Sequence, residues 1–440
     1  MVAVYVAFNA RVDARPVGEL ADIPSLAERE DLNVLLILID TLRADRLGCY
    51  GYARDTSPHI DAMARTGIRF ARHQAQSSWT KASMASLWTS LYPARSGVLH
   101  ATHALSEEAQ LPAEILRSGG FRTAGIWRNG WVAPNFGFAQ GFELYLTPRP
   151  GAAIPGFRRE NPGARLRGSD FDVIASAEEF LRAHDQERWF LYLHLMDLHQ
   201  YATDEHSARF GTTYSDAYDN AIHFTDRAVG ALLEVLAHRD LLDKTLIVLA
   251  SDHGEAFGEH GSEGHARDVH SEVITTPWIL SLPFRLEPGL VVETPSENVD
   301  LWPTLLELVG VSAPTSPADG VSQVSRILGA PARATTTQIA HIDRGWARAP
   351  ADSRAHVSLS NGAHRLLYDG SHATLYDATT DPWEQTDIAS EHPERVDKLR
   401  ELAESYLAAT PPWQGGTPRV ELDDMQLGQL RALGYVVDAP

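Results

Sequence analysis

The chain has 440 residues, 44% of them hydrophobic and 22% charged. That is ordinary globular composition with ample apolar material for a large core, and at roughly 150 residues per domain it allows about three domains. The formal charge is −20, from 38 Lys+Arg against 58 Asp+Glu, so phosphate backbones and anionic lipid are repelled and no nucleic acid is expected as a partner.

The single cysteine, Cys49, rules out an internal disulfide and fits a reducing or an oxidising compartment equally. No stretch approaches the roughly 18 apolar residues of a membrane span. Residues 1–8 (MVAVYVAF) are apolar but lack a basic region ahead of them. They read either as a frayed, strand-like terminus or as the tail of a signal that starts upstream.

In chain order, residues 33–40 (NVLLILID) form a continuous apolar run ending in an acid, the pattern of a buried parallel strand with function at its carboxyl end. Ser57-Pro58 then predicts a capped helix over 58–66. Helices are expected at 81–91, with Thr80 at the N-terminus, and at 111–118, followed by a strand at 122–127. Glycine and proline thicken over 147–168, which reads as an irregular surface insertion beside the site. Beyond it come a helix at 171–184, a strand at 189–195, a long amphipathic helix at 218–237, a strand at 245–250, a strand at 277–282 and a helix at 300–309. The segment 312–333, rich in Pro, Ser and Ala, marks a soft boundary. A hairpin or meander follows at 356–376, then a closing helix at 393–408. The alternation predicts an α/β fold: a large mixed, mostly parallel sheet flanked by helices, with a smaller C-terminal α+β subdomain. The expected divisions are an extension over 1–30, the α/β domain over 31–330 and the subdomain over 331–440.

Three strand ends carry polar residues that a core does not need: Asp40; His194, Asp197 and His199 (HLMDLH); and Asp252-His253. Ligands of open α/β sheets gather at such carboxyl ends. Singly, an aspartate there is often a helix cap and a histidine often structural; together they point to a metal site. Two carboxylates and an imidazole from Asp40, Asp252 and His253 favour Mn²⁺, Zn²⁺ or Fe²⁺ over Ca²⁺, which takes oxygen almost exclusively. The segment from Ser77 to Ser83 (SSWTKAS) offers four hydroxyls. Such a hydroxyl at a helix N-terminus is either a cap or a group whose alkoxide the helix dipole favours.

Five segments, DTLRADRLGCYGY from Asp40, SWTKASMASLWTSLYPARSGV from Ser78, SDHGE from Ser251, DLWPTLL from Asp300 and LYDATTDPWEQTD from Leu375, stand in the order of the landmarks of sulfatase-type enzymes. The chain therefore resembles the sulfatase-like branch of the alkaline phosphatase superfamily over residues 33–410. The resemblance implies an alkaline phosphatase-like fold, a catalytic domain over 31–330, metal-dependent ester hydrolysis, and a periplasmic or extracellular location. Two positions depart from the pattern. The head of the C/S-x-P-x-R motif, which becomes formylglycine, falls on Thr80, with Ala82 and Met84 where proline and arginine belong. Thr41 stands where many sulfatases have another metal-binding aspartate. The resulting set of Asp40, Thr80, Asp252 and His253 is similar to the single-metal sites of lipoteichoic acid synthase, phosphoethanolamine transferases and related phosphodiesterases, which use a threonine nucleophile.

The resemblance implies one divalent ion, Mn²⁺ or Zn²⁺ ahead of Ca²⁺, on those four residues, and a small anionic ester substrate carried on a glycan or lipid. Thr80 is the expected nucleophile. Arg128 would bind non-bridging oxygens, His199 would bind a further oxygen or transfer a proton, His265 would protonate the leaving oxygen, and Lys81 would steady the nucleophile's charge. His194 and Asp197 would orient His199. A second metal is not expected, because the fourth residue after Asp197 is Tyr201 and not histidine; the Glu259-His260 pair is the nearest substitute. Three functions stay open: phosphate ester or diester cleavage through a Thr80 adduct, sulfate ester hydrolysis without formylglycine, and a catalytically silent homologue that binds anions or glycans.

Overall fold

The structure is a computed structural model that describes residues 15–151, 161, 166–312, 318–331, 337–347, 354–422 and 427–428. The apolar run at 1–8, most of the 147–168 insertion and parts of the 312–333 boundary lie outside them.

The largest sheet has eight strands: β1 (Asn33–Ile39), β2 (Ile68–Phe70), β3 (Arg122–Ile126), β4 (Leu144–Leu146), β5 (Trp189–Leu195), β6 (Thr245–Ala250), β7 (Trp278–Ser281) and β8 (Leu290–Val292). Their order is β8-β2-β7-β6-β1-β5-β3-β4. The central strand β1 pairs in parallel with β5 and β6, and β3 in parallel with β5 and β4. The predicted strand at 277–282 exists as β7 but runs antiparallel to both neighbours.

The helices that flank this sheet are α1 (Pro58–Thr66), α2 (Thr80–Thr89), α3 (Pro112–Ser118), α4 (Asp170–His184), α5 (Tyr214–His238) and α6 (Leu301–Leu308). All seven residues of β1 are buried, which is why the strand reads as an unbroken apolar run and not as an alternation. Val34, Leu36 and Leu38 pack into the core on one face, while Leu35, Ile37 and Ile39 face the other. The first face is covered by α2, α3 and α6, with Trp79, Trp88 and Trp302 among its fillers. The second is covered by α1, α4 and α5. Helix α5 begins a turn earlier than the apolar periodicity predicts. Thr213 caps it, accepting from the Asp216 amide at 3.1 Å while Asp216 accepts from the Thr213 amide at 3.0 Å. Ser57 caps α1 only by position: its hydroxyl bonds the Asp61 carboxylate at 3.1 Å instead of a helix amide.

The C-terminal region is a four-stranded antiparallel meander, β9 (Gln338–Asp343), β10 (Ala355–Ser360), β11 (His364–Tyr368) and β12 (Ala373–Asp377). Helix α7 (Pro393–Leu407) closes it over a small core of Val357, Leu359, Leu366, Leu375, Leu399 and Ala403. The meander is tied to the segment just ahead of α2: the His341 amide donates to the Gln76 carbonyl at 2.7 Å.

Candidate active site

The carboxyl ends of β1, β3, β5 and β6 and the start of α2 converge on one buried group of side chains. Asp40 follows β1, and Asp252 and His253 follow β6; all three are fully buried, as is Thr80. Thr80 is the first residue of α2, whose N-cap Trp79 makes no capping bond. Its hydroxyl is not a cap. It lies 3.1 Å from His253 Nε2. His253 Nδ1 faces the Gly254 carbonyl at 2.9 Å, so in the neutral ring Nδ1 carries the proton and Nε2 presents a lone pair to Thr80. His253 Nε2 is also 3.3 Å from Asp252 Oδ2.

Asn129, at the end of β3, closes the group. Its Nδ2 donates to Asp40 Oδ2 at 2.7 Å and to Thr80 Oγ1 at 3.3 Å, while its Oδ1 accepts from the Trp131 amide at 2.9 Å. A continuous path therefore runs Asp40–Asn129–Thr80–His253–Asp252. Sequence reasoning passed over Asn129, although a polar residue at the end of a third parallel strand was a usable signal. Thr41 takes a left-handed backbone, φ 62°, which is costly for a β-branched residue and typical of functional turns. It brings the Thr41 amide to Asp252 Oδ1 at 3.2 Å.

Among the described residues, Asp40 Oδ1 and Asp252 Oδ2 are buried with no hydrogen-bond partner. Burial alone would raise Asp40, but His194, His199 and His253 prevail and hold it below the usual carboxylate range. Burial, helped by the charge on Asp40, raises Asp252. Two orphaned carboxylate oxygens beside each other are what a divalent cation requires and what an apolar core forbids. The donor set fits a metal. Asp40, His194 and Asp252 each offer a ligating atom, all within 4.8 Å of one another, with His253 and Thr80 alongside.

His194 thus has a different job from the one expected. It does not orient His199. Its Nε2 bonds Asp40 Oδ2 at 3.0 Å and its Nδ1 bonds the Tyr192 hydroxyl at 2.8 Å. Asp197 does not orient His199 either: it accepts from Arg128 at 2.6 Å and from the Asp170 amide at 2.6 Å. Arg128, expected to bind substrate oxygens, is almost wholly buried. Its Nη1 is held between Asp170 at 2.8 Å and Asp197 at 2.6 Å, and its Nη2 by the Gly168 carbonyl at 2.5 Å. Two carboxylates draw the guanidinium inward, and burial keeps both of them above their ordinary range even so. Lys81 is also turned away from the expected task. Its Nζ donates to the Ala101 carbonyl at 2.6 Å and sits 3.4 Å from the centre of the Phe136 ring. Burial pulls its pKa well below that of an ordinary lysine, and its amine is held by the Ala101 carbonyl.

The remaining histidines line one side. The His265 ring lies 4.6 Å from the His253 ring and 5.0 Å from the His199 ring. Among the described residues His199 Nε2 is buried without a partner, and burial lowers its pKa to about 4. His265 Nδ1 bonds Glu255 Oε2 at 2.7 Å. Burial opposes charge on His265, but Glu255 outweighs it and raises its pKa. Glu255 Oε1 in turn accepts from the Tyr201 and Tyr214 hydroxyls at 3.2 and 3.1 Å. The Glu259-His260 pair is divided: Glu259 holds Arg43 at 2.6 Å and His260 faces Glu272 at 2.8 Å.

Residues 32–311, more than half of the chain, match the family model described as Sulfatase. The chain belongs to the sulfatase family. It is 28% identical to human arylsulfatase A over 361 residues, 70% of each chain. It is 26% identical to rat steryl-sulfatase over 410 residues, covering 68% of this chain and 70% of the relative. Among solved structures, the phosphonate monoester hydrolase of Agrobacterium radiobacter superposes with a TM-score of 0.71 at 19% identity, over 89% of this chain and 100% of the other. The sulfatase fold is the α/β architecture described above, and family membership makes the chain an ester hydrolase.

Proposed function

We propose that this sulfatase-family hydrolase cleaves phosphate esters or diesters through a covalent intermediate on Thr80. The observation that carries the reading is the Thr80 hydroxyl itself: buried at the start of α2, 3.1 Å from an imidazole nitrogen, beside two carboxylates with unpartnered oxygens. Asp40, Asp252 and His253 are the residues to hold one divalent ion, with Mn²⁺ and Zn²⁺ preferred to Ca²⁺ for the nitrogen donor; bound there, it would favour the threonine alkoxide and offset the charge of the ester.

Thr80 Oγ1, its proton given up to solvent as the alkoxide forms, attacks phosphorus in line. The P–Oγ1 bond forms as the bond to the leaving oxygen breaks, and His265 gives that oxygen its proton. Glu255 keeps the His265 ring turned toward the site. Water then attacks the phosphothreonine, its proton passes back to His265, and the P–Oγ1 bond breaks to return Thr80 as the alkoxide. His199 is placed to bind a non-bridging oxygen through its unpartnered Nε2. Arg128 acts at one remove, fixing Asp170 and Asp197 behind the strand ends.

Phosphate is preferred over sulfate for a chemical reason. A formylglycine hydrate releases sulfate by collapsing to an aldehyde, and threonine has no second hydroxyl with which to do so. The alternative, sulfate ester hydrolysis without formylglycine, is favoured by the identity of the curated relatives. Expected substrates are small anionic esters on a glycan or lipid carrier, consistent with a net charge of −20 that disfavours nucleic acid. The test is a panel of bis-aryl phosphate, aryl phosphonate and aryl sulfate with Mn²⁺, Zn²⁺ or Ca²⁺, run alongside intact mass spectrometry. A phosphoryl adduct on wild type and none on Thr80→Ala is expected. Turnover of the sulfate alone would transfer the chain to the alternative. A Thr80→Ala protein indistinguishable from wild type would make it a silent anion-binding homologue.

A further inference from the structure

Each of the two aspartates in the candidate site is tied down by one oxygen and left open at the other. Asp40 Oδ2 accepts from Asn129 Nδ2 at 2.7 Å and from His194 Nε2 at 3.0 Å. Asp252 Oδ1 accepts from the Thr41 amide at 3.2 Å and from the His253 amide at 3.0 Å. The oxygens left over, Asp40 Oδ1 and Asp252 Oδ2, are the two that have no hydrogen-bond partner among the described residues.

Backbone amides hold Asp252, but side chains hold Asp40, and His194 is one of them. Residues two apart on a strand share a face, so Tyr192 and His194 lie side by side on β5. Both are fully buried. The Tyr192 ring packs edge-on against Trp88, with centroids 5.1 Å apart, and its hydroxyl lies 2.8 Å from His194 Nδ1. His194 Nε2 stands close enough to Asp40 and Asp252 to share an ion with them. Its bond to Asp40 argues against that use. A carboxylate only accepts, so Nε2 carries a hydrogen and has no lone pair to give. In the neutral ring Nδ1 is then the acceptor, and the Tyr192 hydroxyl donates to it. Both ring nitrogens are engaged.

The consequence concerns which ion fits. Ca²⁺ takes roughly six to eight oxygens and often both oxygens of one carboxylate, whereas Zn²⁺ takes about four ligands and accepts nitrogen. With one oxygen open on each aspartate, the site offers Asp40 Oδ1, Asp252 Oδ2, His253 Nε2 and Thr80 Oγ1. We propose that His194, braced by Tyr192, is a positioning residue that restricts Asp40 to one open oxygen and thereby selects Zn²⁺ over Ca²⁺. The proposal rests on the reading above that Asp40, Asp252 and His253 hold one divalent ion.

The experiment reads metal affinity and not turnover. Protein stripped with chelator is titrated separately with Zn²⁺ and Ca²⁺, for wild type, His194→Gln and His194→Leu. The glutamine amide can replace Nε2 as donor to Asp40, and leucine cannot. Loss of such an outer donor costs about 10- to 100-fold in metal affinity. The leucine variant is expected to lose that much for Zn²⁺ and not for Ca²⁺, because the freed Asp40 Oδ2 can join Oδ1 on the larger ion. The glutamine variant is expected to stay within about threefold of wild type for both. A leucine variant that keeps the wild-type ratio of the two affinities, whether by losing both alike or neither, overturns the proposal. Because that variant can fail to fold, Zn²⁺-loaded wild type and His194→Gln are also compared by X-ray absorption, where the same imidazole scattering is expected from both. An imidazole on zinc that His194→Gln removes would make His194 a ligand and overturn the positioning role. Wild type that binds neither ion would overturn the metal reading of Asp40, Asp252 and His253 and this proposal with it.

Discussion

Replacing Asn129 tests whether the path linking Asp40 to Thr80 matters for turnover. The bond from Asn129 Nδ2 to Asp40 Oδ2 is short, 2.7 Å, and its acceptor is ionised, which places its contribution at about 1.5–3 kcal/mol. The longer bond to Thr80 Oγ1, 3.3 Å, adds about 0.5–1 kcal/mol. If both hold the nucleophile and the carboxylate in their reacting positions, losing them costs about 2–4 kcal/mol of transition-state stabilisation, or roughly 30- to 1000-fold in kcat/KM. Asn129 also caps the 3-10 turn Gly130–Val132 by accepting from the Trp131 amide, so Asn129→Ala would mix an activity loss with a stability loss of about 1 kcal/mol. Asn129→Ser separates them: serine caps as well as asparagine but is too short to reach Asp40 and Thr80. The assay is steady-state hydrolysis of whichever panel substrate turns over, together with urea unfolding of both variants. The expected result is that Asn129→Ser keeps the stability that Asn129→Ala loses, yet is as impaired in activity as the alanine variant. Asn129→Ser retaining kcat/KM within about threefold of wild type would refute the positional argument.

Three further outcomes follow from the buried charges. Arg128→Met should destabilise the protein by about 3–5 kcal/mol in denaturant unfolding, because it strands Asp170 and Asp197 without their counter-ion; an unchanged unfolding midpoint would show that the triad is not a structural pin. Lys81→Met should leave kcat/KM within about threefold and stability unchanged or higher, since among the described residues its buried amine has a single acceptor, the Ala101 carbonyl; a loss of activity of about a hundredfold would return Lys81 to the reaction. Burial raises both Glu297, to about 8, and Asp300, to about 7, where the two carboxyls stand close together beside the meander. Carboxyls raised on folding bind protons more tightly in the native state, so their stabilisation is full below the ordinary carboxylate range and is lost as pH climbs through the raised values. Glu297→Gln should therefore flatten the fall in stability between about pH 5 and pH 8, and an identical pH–stability curve would contradict the shift.

The central strands were legible because burial on both faces removes any choice: 33–40, 189–195 and 245–250 are dominated by apolar residues up to the strand ends. The short strands β2, β4 and β8 were not, since three residues cannot display a period. Nor does any pattern in 277–282 record that β7 runs against its neighbours. In the site, Asp40, Asp252 and His253 stood out as polar residues interrupting strand ends. Arg128 and Lys81 drew roles because a charge next to a motif invites one. What decides their direction is three-dimensional: Asp170 lies 42 residues from Arg128, and the Ala101 carbonyl that takes Lys81 is 20 residues away. Asn129 was passed over for the opposite reason, being uncharged and next to an arginine.

On the threonine reading, the change at position 80 does more than swap one nucleophile for another. A geminal diol leaves its ester by elimination, so a base need only remove a proton from the enzyme's own second hydroxyl. Threonine carries a methyl group there, and the adduct must be opened by water striking phosphorus. The same imidazole then has to serve twice, as acid to the leaving group and as base to the water. Of the two wall histidines, His265 is the one bonded to a carboxylate that keeps it turned and basic. Glu255 cannot be an incidental neighbour on this view. Its second oxygen is held by two tyrosines, so the ring it orients is braced from behind through both half-reactions. Loss of Glu255 should therefore slow opening of the adduct as well as its formation, a burden that elimination from a formylglycine hydrate would not impose.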